Sequence, residues 1–303
     1  MLRTLGLLFV LFSSFTGAFA QNAVYELPIY YGQYFNDPQV NSLKFDEDQD
    51  LKLLLGHRRN NNNFGGINTS IFSAQYKLKD KSANHHHSIG LQFVNDREGF
   101  IIRRNRAYLN YGFHLKVSDD FKFAAGVSTG FYNFSVEANS VTGGYSNFAF
   151  DGGLRLSLYS KETEVGLTFN QITNSSIQPI DQPIILGRHL NLLVKHSFVL
   201  GENVNLIPSL VIRMSKKTTS AYSGLGGTLG LQCQLKEKFS FGMSFENKNG
   251  FYFFAGLDNI KIKNSSLDIN LSYFTPSYKS IKTNVQLFEV FLGYDISFEK
   301  KAK

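Results

Sequence analysis

The sequence predicts an all-β fold: a transmembrane antiparallel β-barrel of about fourteen strands, with short periplasmic turns and longer extracellular loops. Three observations carry that expectation. Apolar and polar residues alternate with a period of two along nearly the whole chain. The breaks between runs alternate between very short and long. An export signal precedes them all.

The signal is read first. Arg3 supplies positive charge, Leu5 to Phe15 is apolar except for Ser13 and Ser14, and Ala18-Phe19-Ala20 has the form of a cleavage site. Residues 1–20 therefore read as a secretory signal peptide, with a short anchor helix as the competing reading. Gln21 follows the cut and offers no attachment point for a lipoprotein anchor. Residues 21–50 precede the first clear strand and read as a periplasmic or plug segment; residues 51–303 read as the barrel. Beyond the signal no stretch approaches the ~20 continuous apolar residues of a spanning helix.

The strands follow in order. The first lies near Leu51 to Arg58 and the third near Ser88 to Asn95. Leu109, Tyr111, Phe113, Leu115 and Val117 alternate with Asn110, Gly112, His114 and Lys116. Phe148, Phe150, Leu154, Leu156 and Leu158 recur against Asp151, Gly153, Arg155 and Ser157. Leu190, Leu192 and Val194 stand against His189, Asn191 and Lys195, and Phe239, Phe241, Met243 and Phe245 against Ser240, Gly242, Ser244 and Glu246. The last run, Phe288 to Phe298, ends on an aromatic and contains Gly293-Tyr294-Asp295-Ile296-Ser297-Phe298, the G-x-x-Φ-x-Φ pattern of a closing outer-membrane strand. Pro208 interrupts one run but sits a few residues past a turn, where a strand tolerates it.

Tight polar turns at 118–120, 160–162, 201–203 and 236–238 alternate with longer loops at 137–147, 173–187 and 215–223. A soluble sandwich has no physical reason to keep that order, whereas an outer-membrane barrel has. Fourteen strands also enclose too wide a space for one layer of side chains to fill, so the Phe, Leu and Val must face hydrocarbon. Arg104, Arg106, Asp151, Arg155, Glu164, Lys195, Arg213, Glu246 and Asp295 then face inward. Backbone groups within a bilayer all need partners, so the sheet must close.

The composition agrees: 29 Phe, 15 Tyr and 26 Gly against 3 Met, 1 Cys and no Trp, which leaves any interfacial girdle to Tyr and Phe. The formal charge of +7 is scattered, without the basic stripe of a nucleic-acid binder. The lone Cys233 excludes an internal disulfide and reads as a small packing residue. His85-His86-His87 invites a metal reading, but consecutive strand residues alternate sides and cannot converge, so a solvated turn is the simpler reading. Arg103-Arg104-Asn105-Arg106 reads as a solvated rim, or as a headgroup site touching outer-membrane lipid. His114 lies on a patterned strand and His196 faces outward near an interface. No serine–histidine–acid set suggests an activated nucleophile. No catalytic, metal or cofactor residue is therefore assigned, and an enzyme is not expected.

Several stretches resemble the PorP/SprF family of the type IX secretion system of Bacteroidetes. They are Gln33-Tyr34-Phe35-Asn36-Asp37-Pro38 with Asn41, then Gly56-His57-Arg58-Arg59, Gly90 to Asp96 with Gly99, and the Tyr-rich strand from Tyr108 to Phe113. Lys122 to Gly126, Asp151 to Arg155, Leu206 to Ser209 and Glu289 follow in the expected order. The family's Asn-Pro-Ala is broken here, with Pro38 displaced and Asn41-Ser42 in its place. The resemblance implies a non-enzymatic outer-membrane barrel that helps secrete adhesins and attach them to the cell surface, in systems that include gliding motility. It implies as partners the adhesin C-terminal domain and other secretion-system components. The alternative is a transporter of small hydrophobic compounds similar to the FadL family, which pairs a similar strand number with an N-terminal hatch. Tyr252 and Phe254 are candidates to line its interior; the mixed-charge inward set argues against it.

Overall fold

The computed structural model describes residues 22–23, 49–60, 67–78, 84–99, 101–137, 144–178, 183–215, 225–246, 250–276 and 287–298. The expected signal peptide, most of segment 21–50 and the stretch from Gln33 to Asn41 lie outside them.

Fourteen strands build the wall. The first seven are β1 (Leu51–Asn60), β2 (Ile67–Leu78), β3 (His85–Glu98), β4 (Ile102–Lys116), β5 (Lys122–Val136), β6 (Tyr145–Tyr159) and β7 (Thr163–Asn170). The second seven are β8 (His189–His196), β9 (Val204–Ser215), β10 (Leu225–Leu235), β11 (Phe239–Glu246), β12 (Gly250–Ile262), β13 (Ser265–Pro276) and β14 (Leu287–Ile296). Each pairs antiparallel with its neighbours in sequence, and β14 pairs with β1 from Leu287↔Asn60 to Ile296↔Leu51. The sheet has no open edge between first and last strand, which is what a bilayer demands of a β-structure.

The alternation decides which face meets lipid. On β4, Tyr108, Asn110 and His114 are buried while Leu109 is 66% exposed and Tyr111 and Leu115 are exposed with it. β5 and β6 repeat the pattern with Phe131, Phe148, Phe150 and Leu154 outside. Among the described residues, 29 polar or charged side chains are buried against 20 apolar ones. A water-soluble protein shows the opposite balance, so the solvent of the outer face is hydrocarbon. Every member of the expected inward set, from Arg104 to Asp295, occupies the inner register.

Two details follow from single residues. Pro208 lacks an N–H, and the ladder from β8 to β9 stops one residue short of it, at Lys195↔Ser209; pairing resumes with Phe198–Val199 against Leu206 and Asn205. Gly56 lies under the Phe291 ring, where a Cβ would come within 2.4 Å of Cε1. Without that gap the β14–β1 seam could not bury Phe291, which is 1% exposed.

Turns and loops segregate as expected. At one end Val117 N donates to Phe121 O at 2.9 Å, Ser160 N to Thr163 O at 2.7 Å and Leu200 N to Val204 O at 2.8 Å. The four longest connections, 137–144, 171–188, 216–224 and 277–286, lie at the other end, together with the short 99–101 and 247–249, while the six-residue connection 79–84 lies at the turn end. The terminal aromatic, Phe298, leans on Tyr76 with ring centroids 6.3 Å apart, and its N–H donates to Asp50 Oδ2 at 2.7 Å. These rings supply the turn-side girdle in place of Trp.

One expectation needs correction. His85, His86 and His87 are not a turn: they open β3. His86 faces inward and stacks on His114 at 4.2 Å, whereas His87 faces outward and its Nδ1 lies 2.6 Å from the Tyr111 hydroxyl. Cross-strand pairing with β4 extends the strand to Leu115, which polar composition alone did not suggest.

Candidate functional site

The interior of the barrel carries polar clusters and apolar patches. One polar cluster is built by inward positions of β1 to β6. Asp96 on β3 accepts from Thr69 Oγ1 at 2.6 Å and from Arg104 at 3.1 Å, and Arg58 approaches it at 3.8 Å. One carboxylate thus stands between two arginines, nearly buried, which is the arrangement that lets charge persist in a confined space. One layer deeper, the Tyr108 hydroxyl donates to Asp151 at 2.5 Å, and Asp151 also accepts from the Gly152 N–H at 2.7 Å. Arg106 lies over the Tyr132 ring at 5.1 Å and Arg104 over Phe134 at 5.9 Å. His114 ties this layer to the turn end through Ser88 and Tyr159. Across the lumen, Arg213 pairs with Glu246 at 3.3 Å, and Ser272 donates to Glu289 at 2.6 Å.

One apolar patch comes from β1–β3, β12 and β14. Leu54, Ile71, Val94, Phe254 and Phe291 are buried against one another inside the wall, and Tyr252, Phe274 and Leu287 form a second patch nearby. Tyr252 and Phe254 therefore face inward, as the sequence allows. Leu54, Ile71 and Val94 were not singled out, because a lone apolar residue at an inward position leaves the period of two looking merely imperfect.

The connection between β7 and β8 shapes the outer end. The β6–β7 ladder ends at Leu154↔Phe169, but β6 continues for nine residues beyond it. The chain after β7 turns through Gln171 and Asn174, both at positive φ, and Ile172 N donates to Gly152 O at 3.1 Å. Ser175 Oγ then caps Phe150 O at 2.6 Å. From there the segment passes inward. Ser176–Ile177 pairs with Ile184–Leu186, which also pairs in parallel with Asn22–Ala23. Ile177 and Leu186 are fully buried against Tyr132, Phe134 and Ala149, so the insert is held inside the tall wall of β4–β6 by its own small core. Behind this junction Gln92, Arg106, Asp151, Arg155, Gln171 and His189 line a cavity of about 20 Å³, room for a single water.

The outer rim carries the other sequence-selected residues. Arg103 faces out and pairs with Glu137, and Arg104 and Arg106 face in. The Arg103–Arg106 run is thus split between the lipid side and the lumen. His196 faces outward at the turn end, against Phe198 with centroids 4.4 Å apart. Cys233 is a free thiol between Leu231 and Leu235. Among the described residues no group of three or more His, Cys, Asp or Glu is placed to hold a metal ion.

The barrel is similar to several solved structures. The toluene transporter TbuX of Ralstonia pickettii matches with a TM-score of 0.55 and 10% identity, over 84% of this chain and 90% of that one. The Pseudomonas putida toluene transporter TodX matches with a TM-score of 0.55 and 12% identity, over 92% and 95% of the two chains. A Pseudomonas aeruginosa FadL homologue matches with a TM-score of 0.53 and 9% identity, over 84% and 91%. Identities this low show the fold alone. No curated protein matches. A family model does match, over residues 27–294: the chain belongs to the PorP/SprF family of type IX secretion system membrane proteins.

Proposed function

We propose that this barrel supports secretion of an adhesin and its attachment to the cell surface by binding the adhesin's C-terminal domain. The observation that carries the reading is the family match from residue 27 to 294, which leaves little of the chain for another activity. The geometry is favourable to it. β3–β6, at 14 and 15 residues, stand taller than the 8 residues of β7, β8 and β11, so one side of the outer mouth is raised. Family membership also ties the chain to the other components of the secretion system. Among the inner charges Asp96 pairs with Arg58 and Arg104, and Arg213 with Glu246, which suits a docking scaffold better than an acid–base site. Within this reading residues 21–50 act as a periplasmic or plug segment, to which the pairing of Asn22–Ala23 inside the barrel lends support.

Affinity purification of the tagged barrel from its native membranes is the test. A large secreted adhesin should co-purify, and deleting the barrel's gene should release that adhesin or abolish its display. Unchanged surface display after deletion would overturn the reading.

A second reading, passage of small hydrophobic compounds, is favoured by one observation: the inward apolar patch of Leu54, Ile71, Val94, Phe254 and Phe291. It expects an apolar molecule to be recovered by mass spectrometry from purified barrel, and expects Phe254→Arg to abolish the recovery.

A further inference from the structure

We propose that the outer wall of β1–β5, at the loop end, is a binding site for the phosphorylated, acylated glycolipid of the outer leaflet. The inference concerns the lipid side of the wall and stands apart from client binding in the lumen.

Three rows cross these strands in strict register. The lowest contains Leu55, Phe72, Phe93, Ala107 and Phe131, each directly opposite the next. Ala107 is the small member, flanked by Phe93 and Phe131, which are 52% and 58% exposed. The row above contains His57, Ser70, Asn95, Asn105 and Asn133. These side chains are joined laterally: His57 Nδ1 lies 3.0 Å from Ser70 Oγ, Asn95 donates to Asn105 at 2.6 Å, Asn105 to Asn133 at 3.4 Å and Asn133 to Ser146 Oγ at 2.9 Å. The top row contains Arg59, Arg97 and Arg103, with Glu137 bridging the last two.

A depression of about 640 Å³ runs across the lower two rows, floored by Ala107 and walled by Phe93, Phe131, Leu55 and Leu292. Apolar groove, amide and hydroxyl belt, guanidinium row: this is the order in which acyl chains, acylated sugar and phosphates are stacked in a glycolipid lying against the wall. Phosphate is matched by the arginine fork, sugar hydroxyls and amides by the asparagines, and acyl chains by the depression. On β9–β12 the described outward register ends apolar at the loop end, at Met214, Leu225, Phe245 and Phe251, whereas on β3–β5 it continues into amides and guanidinium groups.

The belt also lies at the right height. Asn105 and Leu115 are ten residues apart on β4, roughly 33 Å along the strand and about 25 Å along the membrane normal at the usual tilt. Asn105 therefore sits where hydrocarbon ends, and Arg103 sits in the headgroup layer.

Native mass spectrometry of the detergent-purified barrel, titrated with bisphosphorylated lipid A, tests the proposal. The wild-type chain should show a saturable adduct that phosphatidylglycerol at equal concentration does not displace. Arg59→Gln/Arg97→Gln/Arg103→Gln should weaken the adduct by at least about tenfold, as the loss of charge-assisted contacts predicts, and dephosphorylated lipid A should bind as poorly to wild type. Ala107→Trp, which fills the depression and leaves every charge in place, should also weaken it. Heat-modifiable gel mobility reports that each variant is folded. Undiminished binding by either folded variant, equal competition by phosphatidylglycerol, or burial of this face in a dimer would overturn the assignment.

Discussion

Asp96 shows how a single carboxylate can organise a lumen. It serves Thr69, Arg104 and Arg58 at once, so its removal takes the shared negative charge from beside two guanidinium groups in a nearly dry space. Asp96→Ala is expected to lower unfolding stability by about 3–5 kcal/mol, while Asp96→Asn, which keeps the hydrogen-bonding shape, should lose less. Urea unfolding of barrels folded into lipid vesicles measures both. Gly130 is constrained differently. A Cβ there would fall 1.9 Å from the Ala107 carbonyl oxygen and 2.8 Å from Tyr108 Cα, which are backbone atoms that cannot step aside. Gly130→Ala should therefore destabilise the β4–β5 seam by roughly 1–3 kcal/mol in the same assay. Residue types on the lumen side were legible from the period of two, but their partners were not. Nothing local in the sequence tells Asp151 that Tyr108, 43 positions away, will donate to it.

At the scale of elements, tight turns and long connections fixed the strand order before any contact was known. The turn Lys236-Glu237 is the least expected of them in detail. Both residues have positive φ, a conformation that Gly or Asn usually supplies, yet Lys238 N still donates to Leu235 O at 3.0 Å. Orientation in the membrane follows from the two kinds of connection. On a Cys233→Ser background, Ile101→Cys should react with an impermeant maleimide in intact cells, and Asp120→Cys should react only after the envelope is opened. Labelling of Asp120→Cys in intact cells would invert the barrel. The insert after β7 was foreseen only as a long loop. Its two short strands are too brief to leave a periodic pattern, and they exist because Ile177 and Leu186 find Tyr132, Phe134 and Ala149 to bury against.

At the scale of the whole molecule, the exposed apolar band sets the solvent the protein needs. Leu109, Phe148, Leu225 and Leu229 each leave more than 60% of their surface uncovered, and most of the other strands also carry exposed large apolar side chains. Refolding by dilution should give a heat-modifiable monomer when detergent or vesicles are present and an aggregate in buffer alone. A monodisperse, folded sample without amphiphile would contradict the outward orientation on which the fold rests.

The amino-acid sequence by itself determined that the chain crosses a membrane as strands, about how many there are, and which side chains face lipid. Those properties follow from a backbone that places successive residues on opposite faces, and every residue reports on them locally. It also carried, in short ordered stretches, the resemblance that the family match over 27–294 bears out. Tertiary structure alone decided the grouping of the lumen's polar clusters and apolar patches, the placement of the β7–β8 insert within the barrel, and the layered rows on β1–β5. Each of these depends on register between strands distant in sequence. A shift of a single residue would leave the period of two intact and dissolve the rows.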